Sequence, residues 1–418
     1  MLRFVAYLSF YNVYTITPLL VYSHMIIHER LREIYSKPER RILGLMSGTS
    51  LDGLDIASCR IRGSGRQTLV TMEHFMTIPY PDDLRNHLLK VCSVPVVEMV
   101  DLTLLHTELG QWYGRRILEA LDEWGLQTTQ VDAVASHGQT AFHAPKSFHG
   151  HEERPHATLQ IGDGDHIATI SGILTISDFR QKFTAAGGEG APLVPFVEEF
   201  MFRADRGRIM LNIGGIANYT YLPPLGSDDE RKAADTGPGN TLIDALVRRH
   251  YPGSRFDEAG AIGGSVEPDM ALLEALLEDD WIKDREGSST GPEHFNPNWM
   301  QNIAASAQLD MPDPAVQVAT ATWLTAICIE RALRRDLGEM EGMEMYLSGG
   351  GVHNATLVHA LGSRLPEVDM MPLTQLGWNA DAKEAVVFAL LANEFLAGEG
   401  FVWEGHRIRF GKLSLPNR

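Results

Sequence analysis

Three glycine-rich stretches and a few carboxylates carry the chemistry this sequence can do. The first is "LMSGTSLDGLD", Leu45 to Asp55. A turn with this many glycines and hydroxyls offers backbone N–H groups at close approach, which is what a phosphate chain needs. Asp52 and Asp55 repel a phosphate, but one of them can hold Mg²⁺, a hard cation that takes carboxylate and phosphate oxygens together. A plain β-hairpin turn with local Asx bonding uses the same residue types. The second stretch is "LNIGGIAN", with Asn212, Gly214, Gly215 and Asn218. The third is "LSGGGVHN", with Gly349, Gly350 and Asn354. Any one alone is consistent with a tight turn. Three in one chain, two of them in matched hairpins, point to a nucleotide, though the spacing fits neither the P-loop nor the dinucleotide pattern.

Outside the glycines, Asp235 opens "DTGPGN", where a strand gives way to a turn and a helix start. A carboxylate at such an edge is placed to act as a general base, or merely to cap the turn. His137 in "HGQT" and Arg180 in "SDFR" also follow strands. The histidine suits a proton shuttle or a structural hydrogen bond. The arginine suits an anion, a sugar hydroxyl or an interdomain ion pair. Glu384 sits in the first turn of the apolar segment "DAKEAVVFALLA", where the helix dipole alone favours an acid.

The elements that must position these groups alternate. Strands are expected at Ile42–Met46, Leu54–Ile61, Val131–Ser136, Ile173–Ile176, Arg208–Ile213, 217–223 and Met343–Leu347. Helices are expected at Val97–Glu119, at Thr241–His250 with Asn240 as cap, at Ala355–Leu365 and at Ala382–Phe395. Ser147–Arg154, Gly226–Lys232 and Trp281–Asn298 have loop composition. The alternation predicts an α/β protein. "ILGLMSGTSLDGLDIA" and "IMLNIGGIANYTYL" are both strand, glycine turn, strand, so the chain is expected to contain two related domains facing each other.

Composition narrows the partners. The 418 residues carry 36 basic and 54 acidic side chains, a net charge of −18. That argues against nucleic acid or an anionic membrane surface, which need clustered Lys and Arg. Cys59, Cys92 and Cys328 are too few and too scattered for a disulfide framework or a zinc site, and fit a reducing, cytoplasmic setting. Residues 1–40 differ from the rest, aromatic and β-branched and then basic. Asn12, Thr15, Thr17 and Pro18 break their apolar run before it could span a membrane. They read as an extension, with the folded body starting near Arg41.

Taken in order, "GLMSGTSLDGLDIA", "SHGQT", "TLQIGDGDHIA", "DFR…AAGGEGAPLVP", "LNIGGIAN", "DTGPGN", "STGPEHFN", "GGGVHN" and "AKEAVVFALLA" resemble the anhydro-N-acetylmuramic acid kinases, from about Ile42 to the C-terminus. The kinase of levoglucosan looks like a cousin. The resemblance implies two actin-like ATPase domains of ribonuclease-H-like topology, 41–205 and 206–418, closing on a central cleft, with C-terminal helices returning to the first. It implies ATP and Mg²⁺, a soluble homodimer and a role in recycling cell-wall fragments.

Residue by residue, it makes Asp235 the base that activates water. Gly48, Thr49, Ser50, Leu51, Asp52, Gly53, Leu54 and Asp55 become the first phosphate hairpin, with Ser47–Ser50 towards the phosphates. Asn212, Gly214 and Gly215 become the second. Gly349, Gly350 and Asn354 flank the adenosine. Asp52 and Glu384 are the metal-side acids, and His137, Arg180 and Glu384 the sugar side. Three positions depart from the family pattern: Phe183 for an acid, Glu189 for glutamine and Pro292 for arginine.

Overall fold

The computed structural model describes residues 29–48, 50–284 and 294–417. Thr49 and Pro292, with the expectations placed on them, lie outside the described residues.

Two sheets organise the chain. The first contains β1 (Glu39–Met46), β2 (Gly53–Arg62), β3 (Leu69–Pro79), β4 (Ala133–Ser136), β7 (Thr175–Ser177) and β15 (Lys412–Ser414), in the order β3-β2-β1-β4-β7-β15. A small side sheet pairs β5 (Gln139–Ala144) with β6 (Ala157–Ile161). The second large sheet contains β8 (Arg208–Ile213), β9 (Ile216–Leu222), β10 (Lys232–Pro238), β11 (Glu344–Ser348) and β12 (Asp369–Pro372), in the order β10-β9-β8-β11-β12. In each, an antiparallel three-strand meander is followed by parallel strands on the other side of the first. The repeated order, third-second-first-fourth-fifth, is the ribonuclease-H-like arrangement, duplicated as in actin-like ATPases.

Burial follows strand position. The central β1 is buried on both faces over Ile42–Met46, whereas β3, on the sheet edge, has only exposed and half-buried residues. Helix Lys383–Ala397 is apolar nearly all round and has 12 of its 15 residues buried. It packs across β1, β2 and β4. Gly44 on β1 makes this possible, because a β-carbon there would strike the carbonyl of Ala385. The C-terminal β13 (Phe401–Trp403) and β14 (His406–Ile408) form a hairpin, and β15 joins β7 antiparallel. Segments late in the chain therefore complete the first sheet.

Residues 29–40 were expected to be extension. They are built in instead: 29–36 are helical and Ile34 enters the core. Arg40 is buried because its guanidinium donates to the carbonyls of Ile34, Tyr35 and Lys37 and to Asn393. Two boundaries also move. Asn240 is the first helical residue of Asn240–His250 rather than its cap. The stretch expected as one loop from Trp281 includes helix Asp280–Asp284, and Asn296 caps the helix Pro297–Ser306.

Candidate active site

The second glycine turn is held from three sides. Gly214 and Gly215 link β8 to β9, and their carbonyls accept from the backbone N–H groups of Asn240 at 2.8 Å, Gly239 at 2.9 Å and Thr241 at 3.1 Å. The start of helix Asn240–His250 is thus spent on fixing the hairpin. Asn240 donates its side chain to the carbonyl of Ile213 at 3.1 Å. Gly349, in left-handed backbone at φ 83°, lies so close that a β-carbon would meet the Ile213 carbonyl at 2.6 Å and Asn212 Oδ1 at 2.8 Å. Gly349 and Gly350 therefore share one corner with the second hairpin. Asn354 has a local task there: its Oδ1 accepts from the N–H of Leu357 at 2.9 Å and caps helix Ala355–Arg364.

The first hairpin divides into an outer and an inner part. Ser50 and Asp52 are exposed, while Leu51 and Leu54 are buried in the apolar core. Gln139 donates to the carbonyl of Gly48 at 3.2 Å, and Arg85 to that of Leu51 at 3.0 Å. Gly53 presses on β3, where a β-carbon would meet Pro79 Cα at 2.9 Å. Ser47, expected to face phosphates, points inward. Its hydroxyl donates to Gln139 at 2.5 Å and bonds Tyr80 at 2.7 Å, which in turn bonds Tyr113.

A cavity of about 770 Å³ lies between the second sheet and helices Phe179–Ala185 and Lys383–Ala397, and gathers Arg180, Asn212, Asp235 and Glu384. β-register explains part of this. Asn212, Asn218 and Asp235 are cross-strand partners on β8, β9 and β10, so their side chains form one row on one face. All three line the cavity. Asp235 sits within β10 at a bulge, half-buried, rather than at the strand's end. The opposite wall is built by helix Phe179–Ala185, the segment 189–195 and the start of helix Lys383–Ala397.

Charge within the cavity is closely balanced. Glu384 is exposed to this cavity, and desolvation by the surrounding protein raises its pKa, with Arg180 and Lys383 pulling it back. Desolvation also lowers the pKa of Arg180, against the attraction of Glu384, and leaves it a cation. Arg180 Nε donates to His137 Nε2 at 2.7 Å. His137 itself is 3% exposed and lines a different cavity of about 660 Å³ on the far side of that bond. It reaches the candidate site only through Arg180. Lys383 and Glu198 form a buried ion pair at 2.6 Å in the wall, and Glu198 Oε2 has no hydrogen-bond partner among the described residues. Sequence reasoning missed this pair, because nothing local distinguishes Glu198 from its neighbour Glu199.

Asp55, half-buried and bonded to Thr77 at 2.5 Å, has a raised pKa from burial and from the charges of Asp381 and Asp52. Asp55 in turn pushes up Glu384. The acids of the first hairpin and of the C-terminal helix thus share one field. Among the described residues no group of three or more His, Cys, Asp or Glu is close enough to hold a metal alone. Hard carboxylates, too few for a closed cage, fit an ion that keeps waters and takes its other ligands from phosphate.

The model of the anhydro-N-acetylmuramic acid kinase family matches residues 40–399. The chain belongs to this family. Anhydro-N-acetylmuramic acid kinase of Pseudoalteromonas atlantica is 41% identical over 399 residues, 93% of this chain and 99% of that one. That of Caldanaerobacter subterraneus subsp. tengcongensis is 36% identical over 395 residues, 93% of this chain and all of that one. Among solved structures, the activator of the 2-hydroxyisocaproyl-CoA dehydratase from Clostridium difficile with bound ADPNP has a TM-score of 0.42 at 12% identity, covering 85% of this chain and 96% of that one.

Two departures from the pattern of the anhydro-N-acetylmuramic acid kinases can be placed. Phe183 is core: it meets Phe196, Trp403 and Phe410 edge-on. An acid there would be buried among rings. Glu189 lines the cavity, its side chain 42% exposed and 4.0 Å from His156.

Proposed function

We propose that this kinase uses ATP to phosphorylate 1,6-anhydro-N-acetylmuramic acid while water opens the anhydro bridge. The observation that carries the reading is the single cavity holding Asp235, Arg180 and Glu384 beside the second glycine hairpin. Asp235 takes a proton from water as the water oxygen attacks the anomeric carbon. The bond from that carbon to the bridging oxygen breaks, and the freed 6-oxygen attacks the γ-phosphorus. ADP leaves, and the product is N-acetylmuramic acid 6-phosphate. Phosphoryl transfer needs positioning and charge neutralisation more than covalent help. Here Arg180 would orient the sugar, and Gly48–Asp55, Asn212, Gly214, Gly215, Gly349 and Gly350 would hold the nucleotide. Mg²⁺, held by Asp52 with Asp55 or Glu384, would supply charge neutralisation at the phosphates.

The chain is read as two lobes, 41–205 and 206–418, with the segment from about Lys383 onward belonging to the first. Three scattered cysteines, two of them buried, suit a cytoplasmic enzyme. We infer a homodimer of small-molecule specificity, which light scattering at micromolar concentration tests.

Incubation with ATP, Mg²⁺ and the anhydrosugar should give ADP and a ring-opened 6-phosphate by mass spectrometry. Asp235→Asn should lower kcat by a factor of about 10²–10⁴, the usual contribution of a general base. ATP affinity by calorimetry should stay within about twofold. No product from folded protein, with this sugar and with levoglucosan, would reject the reading.

A further inference from the structure

We propose that His137 is a positioning residue: it fixes the Arg180 guanidinium so that its outer edge faces the sugar, and it takes no part in proton transfer. The inference rests on the reading above that Arg180 meets the sugar.

Both ring nitrogens of His137 are committed. Nε2 accepts from Arg180 Nε, so Nδ1 carries the proton and donates to the carbonyl of Gly138 at 2.8 Å. The ring packs on Phe388 at 4.8 Å, and the backbone N–H of His137 donates to Leu45 at 3.1 Å. Burial and the Arg180 charge hold its pKa well below the usual histidine range, so it stays neutral. In such a ring the one N–H proton is held by the Gly138 carbonyl, and no lone pair is left for water.

Arg180 depends on this anchor. Its other hydrogen bond among the described residues, Nη1 to the carbonyl of Gly190, is long at 3.4 Å. Glu384 attracts it across the cavity. The Nε bond to His137 opposes that attraction and turns the remaining guanidinium donors into the cavity. Without the acceptor, the guanidinium swings onto Glu384, and the site loses both groups to one ion pair.

The full-length chain carries the test through His137→Asn, His137→Gln, Arg180→Lys and the His137→Asn/Arg180→Lys double variant. Asparagine can still donate to Gly138 but falls short of Arg180, whereas the Oε1 of glutamine can stand in for Nε2. His137→Asn should raise the sugar KM about tenfold, near 1.4 kcal/mol. The ATP KM and the unfolding temperature should hold. His137→Gln should recover most of the loss. In the Arg180→Lys background, His137→Asn should add less than twofold. Additive effects, or a kcat loss with disappearance of a limb of the pH–rate profile at constant sugar KM, overturn the proposal. Crystal structures of wild type and His137→Asn supply a readout that needs no turnover. Arg180 turned onto Glu384 in the variant supports the inference even for a different substrate, and an unmoved Arg180 overturns it.

Discussion

Glu189 adds a negative charge to a cavity whose other charges are largely matched. Lys383 answers Glu198, Arg335 chelates Asp336 at 2.8 and 3.2 Å, and Arg180 faces Glu384. A substrate that carries a carboxylate approaches this wall at an electrostatic cost, roughly 1 kcal/mol at partly screened distances. Glu189→Gln should therefore lower the KM for 1,6-anhydro-N-acetylmuramic acid several-fold at low salt, with the gain fading above about 0.5 M salt. The KM for uncharged levoglucosan should not move. Steady-state kinetics on both sugars at two ionic strengths checks this.

A second residue, Asp244, lies on the helix that holds the second hairpin. Burial, with Asp257 adding to it and Arg248 opposing, pushes its pKa from 3.8 up to about 6. The folded state therefore binds the proton more tightly than the unfolded chain. Its contribution to stability is full below pH 3.8 and is lost as pH rises through 6. Asp244→Asn should remove this slope and stabilise the protein at pH 7, by about 1 kcal/mol after allowing for its partial exposure. Urea unfolding of both proteins from pH 4.5 to 7.5 measures it.

Among the elements, helix Lys383–Ala397 does the most positioning. It carries Glu384 into the cavity from the first sheet, and its height above β1 is set by Gly44. Gly44→Val should force the helix off the sheet, costing about 1–3 kcal/mol and lowering kcat through the displacement of Glu384. Circular dichroism melts together with kinetics separate the two effects. The same helix start contains Lys383. Lys383→Met should cost about 3–5 kcal/mol by leaving Glu198 charged and buried. Adding Glu198→Leu should restore most of that, a double-mutant comparison by urea unfolding.

Over the whole molecule, the last strand, β15, returns to the sheet that β1 opens. Phe401 and Phe410 pack with Phe196, and β15 covers the edge of β7. The family match stops at residue 399, yet the core does not. Deleting 401–418 should expose that aromatic cluster and an unpaired strand edge, giving aggregated protein without a cooperative melt. Size-exclusion chromatography and calorimetry of the truncated chain check it.

Local chemistry made much of the site legible. Gly349 announces close approach because a β-carbon in its left-handed backbone would strike the carbonyl of Ile213, and "DTGPGN" marks a carboxylate before a turn wherever the chain later goes. The matched hairpins were enough to expect two related halves, and the resemblance carried by the motifs implied the ribonuclease-H-like fold and the kinase family. Distance in the chain hid the rest. Ser47 turns inward because Tyr80 and Gln139, from other elements, meet its hydroxyl. His137 serves Arg180, 43 residues away, rather than the cavity. The sequence by itself determined which residues could bind phosphate or move a proton, since those are properties of side chains and short turns. The tertiary structure decided which of them share a space. β-register aligned Asn212, Asn218 and Asp235, and the burial of one apolar helix brought Glu384 opposite them.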